Sequence, residues 1–136
     1  MTLPARDAAP VRVGLAGLGT MGRNHLLILL ARSDVRLVAV ADPVGDALEA
    51  AAAQSGAQPF AEPQAMVAEA ELDALIIAAP TTAHVPLAVA AIERGVAVLV
   101  EKPLAATVDE GMRIVVAARE GGVPVQVGHV ERFNPA

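Results

Sequence analysis

Near its start the chain reads Val13-Gly14-Leu15-Ala16-Gly17-Leu18-Gly19-Thr20-Met21-Gly22, with Gly17, Gly19 and Gly22 in a G-x-G-x-x-G pattern. Glycines mark many loops, so the pattern alone is weak. Here it closes an apolar run at residues 11–16 and opens a stretch in which Leu26, Leu29 and Leu30 mark one helix face. That is the strand–turn–helix setting the motif requires. Each glycine then serves a separate purpose. Gly17 permits the tight turn out of the strand. Gly19 lets the backbone approach a pyrophosphate, and Gly22 lets the helix pack against the sheet. The N–H groups near Thr20 and Met21, at the positive end of the helix dipole, would hold the phosphates.

The rest of the chain repeats this alternation. Residues 11–16, 35–41, 74–79, 97–100 and 123–127 are apolar runs of strand length. They are nearly continuous rather than alternating, as strands covered on both faces read. Residues 58–60 fit a short edge strand. Between the runs, Val85, Ala88, Val89 and Ile92 mark a second helix face, and Val108, Met112, Val115 and Val116 a third. The alanine-rich residues 47–53 suggest a helix after the second strand. Such alternation gives right-handed crossovers and an α/β fold. The expectation is a doubly wound parallel sheet of about six strands, ordered 3-2-1-4-5-6, with helices on both faces.

Composition supports one domain and narrows its partners. Among 136 residues, 54% are apolar and the only aromatics are Phe60 and Phe133, which suits a tightly layered sandwich rather than a barrel. The formal charge is −5 and Lys102 is the only lysine, so the basic stripe of a nucleic-acid binder is missing. No apolar run reaches the ~20 residues a membrane span needs. Cysteine is absent, and His25, His84 and His129 show no metal-ligand spacing, so no metal site is expected. Residues 1–10 lack the apolar core of a signal peptide and read as a flexible tail on a cytoplasmic protein, ahead of a domain spanning residues 11–136.

Asp42 ends the second strand about twenty residues beyond the glycine turn, where an acid accepts hydrogen bonds from the adenine ribose hydroxyls. Its charge would repel a 2′-phosphate, and Pro43-Val44-Gly45 offers no arginine to receive one. The cofactor expected is NAD, with NADP disfavoured.

Three further segments each close a strand: Ala79-Pro80-Thr81-Thr82-Ala83-His84, Glu101-Lys102-Pro103-Leu104-Ala105, and Gly128-His129-Val130-Glu131-Arg132-Phe133-Asn134-Pro135. Together with the glycine turn they closely resemble the N-terminal domain of the Gfo/Idh/MocA oxidoreductases, from about Val11 to Ala136. The E-K-P segment is the most specific element. The last ten residues look most like members acting on nucleotide-linked amino sugars, such as UDP-N-acetylglucosamine 3-dehydrogenases. The placement also makes physical sense, because ligands of an open parallel sheet bind beyond the carboxyl ends of its strands.

The resemblance implies roles for particular residues. Pro80, Thr81, Thr82 and His84 would line the cofactor's path, with His84 read as a helix-start residue fixing its loop rather than a catalyst. Glu101 would reach the nicotinamide ribose. Lys102 would reach the substrate hydroxyl and accept or relay its proton. Arg132 and Asn134 orient nicotinamide or substrate, or merely begin the next element. His25 reads as a packing residue. The bond before Pro103 is cis in the family manner.

The family continues into a second domain that holds the substrate, and this chain stops about where that domain begins. The expectation is therefore the cofactor half of a sugar or nucleotide-sugar dehydrogenase, binding NAD without useful turnover by itself. Left uncovered, the surface for the second domain would favour a homo-oligomer. Two alternatives come from other classes. One is a non-catalytic NAD-binding module that senses redox state or scaffolds a partner. The other is a Rossmann-like protein, such as a methyltransferase, that uses a different nucleotide.

Overall fold

The computed structural model describes residues 9–128. Strands and helices alternate along the chain. They run β1 (Val11–Ala16), α1 (Thr20–Leu30), β2 (Val35–Ala41), α2 (Gly45–Ser55), β3 (Gln58–Phe60) and α3 (Pro63–Glu69), then β4 (Ala74–Ile77), α4 (Thr81–Glu93), β5 (Ala97–Glu101), α5 (Val108–Gly121) and β6 (Val125–Gly128). All six strands are parallel, in the order β3-β2-β1-β4-β5-β6. This is the doubly wound sheet expected from the sequence. The chain grows outward from β1 to β3, crosses back through α3, and grows the other way through β4 to β6. The direction reverses between β1 and β4, where the carboxyl ends of the strands leave a crevice.

Each face of the sheet has its own core. Val13 and Leu15 of β1, Leu37 and Val40 of β2 and Ile76 of β4 pack with Leu26 and Leu29 of α1 and Leu48 and Ala51 of α2. On the opposite face Leu75 and Ile77 of β4 and Val98 and Val100 of β5 meet Met66 and Val67 of α3, Leu87, Ala88 and Ile92 of α4, and Ile114 of α5. Neighbouring β4 residues thus serve opposite faces, the period-two alternation of a strand buried on both sides. Cover is uneven. On the α1 face, a hollow of about 560 Å³ lies over the half of the sheet carrying β4, β5 and β6, lined among others by Val13, Leu29, Ile76, Leu99 and Val125.

Local details depart from the sequence expectations, and the last strand, expected at residues 123–127, runs from Val125 to Gly128. The run at residues 74–79 is strand only as far as Ile77; the Ala78 N–H still reaches the Ala16 carbonyl at 2.7 Å, and the chain then turns into α4. Helix α3 has no counterpart in the sequence reading, although Pro63 at its first turn is a helix-start signal. In α5 the helical period holds but the buried side is different. Val108, Met112 and Val116 are exposed, whereas Gly111 and Ile114 are buried. Ile114 fills the core while Gly111 and Gly121 let the helix lie close to Leu104 and Ile92, so Val108, Met112 and Val116 face outward. Leu30 of α1 is likewise exposed.

Candidate functional site

Among the described residues, the buried polar or charged side chains are Asp42, His84 and Glu101, at 9%, 1% and 6% exposure. All three stand at the carboxyl ends of strands or the start of the helix that follows. Burying a polar group is unfavourable unless it is hydrogen-bonded, and each of the three has partners.

The glycine turn is built by contact as much as by conformation. Gly17 has φ +98°, a region that side chains disfavour, and a Cβ there would lie 2.5 Å from the Ala78 backbone. A Cβ on Gly22 would lie 1.9 Å from the carbonyl oxygen of Gly17. The close packing of Gly22 is therefore against the turn itself, with the sheet end at Ala78 next nearest. Gly19 differs: nothing lies within 4 Å of the position its Cβ would take. The space above it is open, as a backbone approached by a pyrophosphate requires. The first turn of α1 carries no acidic residue. Its earliest backbone bond runs from the Arg23 N–H to the Gly19 carbonyl, and the N–H groups of Thr20, Met21 and Gly22 precede that ladder.

Asp42 ties this turn to the end of β2. Its Oδ2 accepts from the Leu18 N–H at 2.7 Å and its Oδ1 from the Val44 N–H at 2.8 Å. Each carboxylate oxygen has a second lone pair, so the group can brace the loop and still receive ribose hydroxyls. The sequence shows the acid but not this brace, which depends on β1 and β2 being neighbours.

Across the reversal point, Met21, Ala78, Ala79, Pro80, Thr81, His84, Glu101 and Lys102 line a cleft of about 390 Å³. Most of the residues expected on the cofactor's path meet here; Thr82 is exposed and does not line the cleft. The His84 ring lies between two carbonyls, with Nδ1 2.9 Å from Pro103 O and Nε2 2.8 Å from Ala79 O. It joins the end of β4 to the turn after β5, the loop-fixing part expected of it. The Lys102–Pro103 bond is cis, as the resemblance implies. Lys102 is exposed at the edge of the cleft, one residue beyond the buried Glu101.

His25 is the residue that the sequence reading missed. Its Nε2 is 2.5 Å from Oε1 of Glu101. One signal in the sequence bears on this: His25 shares the inward stripe of α1 with Gly22, Leu26 and Leu29, at helical spacing. Arg132 and Asn134 lie outside the described residues, as does His129. Among the described residues no cluster of three or more His, Asp or Glu side chains could hold a metal ion. The larger hollow on the α1 face is lined mainly by apolar side chains and lacks the converging polar groups of a ligand site.

An open phosphate turn at a helix start, an acid braced at the end of β2 and a cleft at the strand reversal together define a doubly wound dinucleotide-binding domain. Residues 11–129 match the oxidoreductase family with an NAD-binding Rossmann fold, Gfo/Idh/MocA, and the chain belongs to that family. It is 42% identical over 128 residues to inositol 2-dehydrogenase 4 of Saccharopolyspora erythraea, an alignment covering 92% of this chain and 38% of that protein. Among solved structures it is similar to the WlbA dehydrogenase of Bordetella pertussis in complex with NADH and UDP-GlcNAcA. That likeness has a TM-score of 0.86 and 35% identity, covering 93% of this chain and 39% of the other. It also resembles myo-inositol 2-dehydrogenase of Lactobacillus plantarum, with TM-score 0.87, 27% identity and coverages of 93% and 38%. The chain thus spans less than two-fifths of the length of these relatives. The cofactor of this domain is NAD.

Proposed function

We propose that this chain is the cofactor half of a dehydrogenase that oxidises a secondary hydroxyl of a polyhydroxylated ring, a cyclitol or the sugar of a nucleotide-sugar. The reading rests on one observation above the rest: Lys102 stands at the cleft beside Glu101, Thr81 and Met21, at the mouth of an NAD-binding fold. The nicotinamide supplies the hydride acceptor, and the protein supplies alignment. Thr20 and Met21 receive the pyrophosphate on their N–H groups. Asp42 receives the adenine ribose and disfavours a 2′-phosphate. Pro80 and Thr81 line the path to the nicotinamide end, Glu101 holds the second ribose, and Lys102 accepts or relays the proton of the substrate hydroxyl.

The choice of substrate class follows the relatives. Proteins named for inositol and one crystallised with UDP-GlcNAcA share a ring bearing adjacent hydroxyls. Substrate contacts come from chain beyond this domain, in keeping with the fraction of the relatives that it spans. No helix of the described residues is long and apolar enough to cross a membrane, and we place the enzyme in the cytoplasm.

Side-by-side calorimetric titration of NAD and NADP into this chain tests the cofactor assignment. NAD is expected to bind at least about tenfold more tightly, a difference that one charged ribose contact can supply. Equal affinities would remove Asp42 from its role. In a protein carrying the remaining length of the relatives, Lys102→Ala should lower turnover by about a hundredfold or more and leave NAD affinity nearly unchanged. Undiminished turnover would remove Lys102 from the chemistry.

A further inference from the structure

The contact between His25 and Glu101 joins residues 76 apart in sequence. Their side chains are 16% and 8% exposed. His25 belongs to the helix whose start forms the phosphate turn, and Glu101 ends a strand on the other side of the reversal point. The contact therefore crosses from one half of the domain to the other.

A second feature confines the same carboxylate. Glu101 is in register with Gly128 of β6. A Cβ on Gly128 would come within 3.1 Å of the carboxyl carbon and both oxygens of Glu101. The carboxylate is thus seated over bare backbone on one side and gripped by an imidazole on the other. Glu101 also follows Val98 and Val100, which pack in the opposite core, so by strand alternation its side chain lies on the face occupied by α1. Without His25 it would be a buried acid with a gap beside it, free to adopt other rotamers.

We propose that His25 is a positioning residue for the nicotinamide half of the cofactor. It acts through Glu101, holding the carboxylate in one orientation over Gly128 so that the acid meets the ribose in a fixed geometry. This rests on the cofactor reading given above. Holding the acid in place before binding spares the ordering cost that a mobile side chain would add. The pair also links α1, which takes the pyrophosphate, to the strand that carries Lys102.

The test uses two ligands that differ only in which half of the site they reach. NAD fills both halves, whereas ADP carries the adenine ribose and the phosphates alone. In calorimetry on this chain, His25→Leu is expected to weaken NAD by about tenfold, the loss of one hydrogen bond to a charged group. ADP should stay within about twofold of its native affinity. His25→Gln restores an N–H near the same place and should recover most of the NAD affinity. Gly128→Ala reaches the carboxylate from the other side and should copy His25→Leu. It carries the test by itself should His25→Leu fail to fold, with thermal melts checking each variant. The double variant His25→Leu/Glu101→Ala should bind NAD no more weakly than Glu101→Ala alone, since both changes remove one device.

Equal weakening of ADP and NAD by His25→Leu would make His25 a mere support of the phosphate helix and overturn the proposal. So would additive losses in the double variant, or NAD affinity untouched by His25→Leu and Gly128→Ala. Failure of the native chain to bind either ligand would overturn the cofactor reading itself, and the proposal with it.

Discussion

The two ends of this sheet handle charge in opposite ways. At the amino end, Arg12 of β1 donates from Nε and Nη2 to Asp73 at 3.1 and 3.0 Å and from Nη1 to Glu71 at 3.1 Å, all on the surface. The Arg12 N–H reaches the same Asp73 carboxylate at 2.8 Å, so the cluster pins the loop before β4 to the start of β1. At the carboxyl end three charged or polar groups, Asp42, His84 and Glu101, are buried. Asp42 and His84 brace loops, Glu101 meets His25 of α1, and His84 and Glu101 line the cleft. An exposed ion pair is worth little, and its worth is stability. A buried polar group kept beside an opening is unfavourable to fold around, and its worth lies in what it holds ready. Substitutions at the amino end should therefore leave ligand affinity unchanged, whereas those at the carboxyl end should reach the ligand.

The glycines break that comparison most sharply. Gly22→Ala drives a methyl group into the Gly17 carbonyl and should destabilise the domain by about 3 kcal/mol in urea unfolding, with NAD binding lost. Gly19→Ala meets no neighbour within 4 Å. It should keep stability within about 1 kcal/mol and still lose NAD, because the methyl group occupies the space meant for phosphate. A Gly19→Ala protein that binds NAD normally would show that the pyrophosphate lies elsewhere.

Smaller effects test the braces. His84→Leu strands the Ala79 and Pro103 carbonyls and should cost about 2 kcal/mol of unfolding free energy. Native stability in that variant would mean that the ring does not hold the two loops together. Asp42→Asn keeps the size but loses an acceptor for one of two backbone N–H groups, which alone disturbs the loop. The informative readout is then the ratio of NAD to NADP affinity, expected to shift toward NADP by about tenfold. An unchanged ratio would leave Asp42 a purely structural brace.

The amino end supplies the smallest effect. Hydrogen bonding to Arg12 holds the Asp73 carboxyl below its usual range. A lowered folded value means that the pair contributes stability above the ordinary carboxylate range and loses it as pH falls through the lowered value. Asp73→Asn should therefore lower Tm by about 2 °C near neutral pH and by nothing measurable at a pH where Asp73 is protonated. NAD affinity should not change. A matching loss of affinity would break the division between the two ends.

The sequence revealed the frame because the frame is local. Strand runs covered on both faces announce themselves by nearly continuous apolar residues, so β1 and β2 fall where those runs place them, and β3 falls at the short edge strand read at residues 58–60. The glycine turn and Asp42 were legible because the motif fixes their spacing. What stayed hidden depends on partners brought in from a distance. The phase of α5 is set by Ile114 together with Gly111 and Gly121, which let the helix approach its neighbours, and a reading that follows Val108, Met112 and Val116 picks the wrong side. His25 looks like a packing residue until strand order brings Glu101 beside it. The brace from Asp42 to Leu18 is equally invisible while each is read on its own segment.

The strand order also has a consequence for how the protein is made. β1 leaves the ribosome first among the strands and ends in the middle of the sheet, with β2 on one edge and β4 on the other. β2 follows soon after, but the second edge stays bare until Ala74 and the residues after it have been synthesised. During that interval a strand of Val, Leu and Ala presents unpaired backbone to its surroundings, the kind of edge on which chains aggregate. Both chain neighbours of the phosphate turn are in place early, yet Ala78, against which Gly17 packs, arrives only with β4. The earliest of the six strands is thus flanked on both sides only after β2, β3 and three helices have followed it.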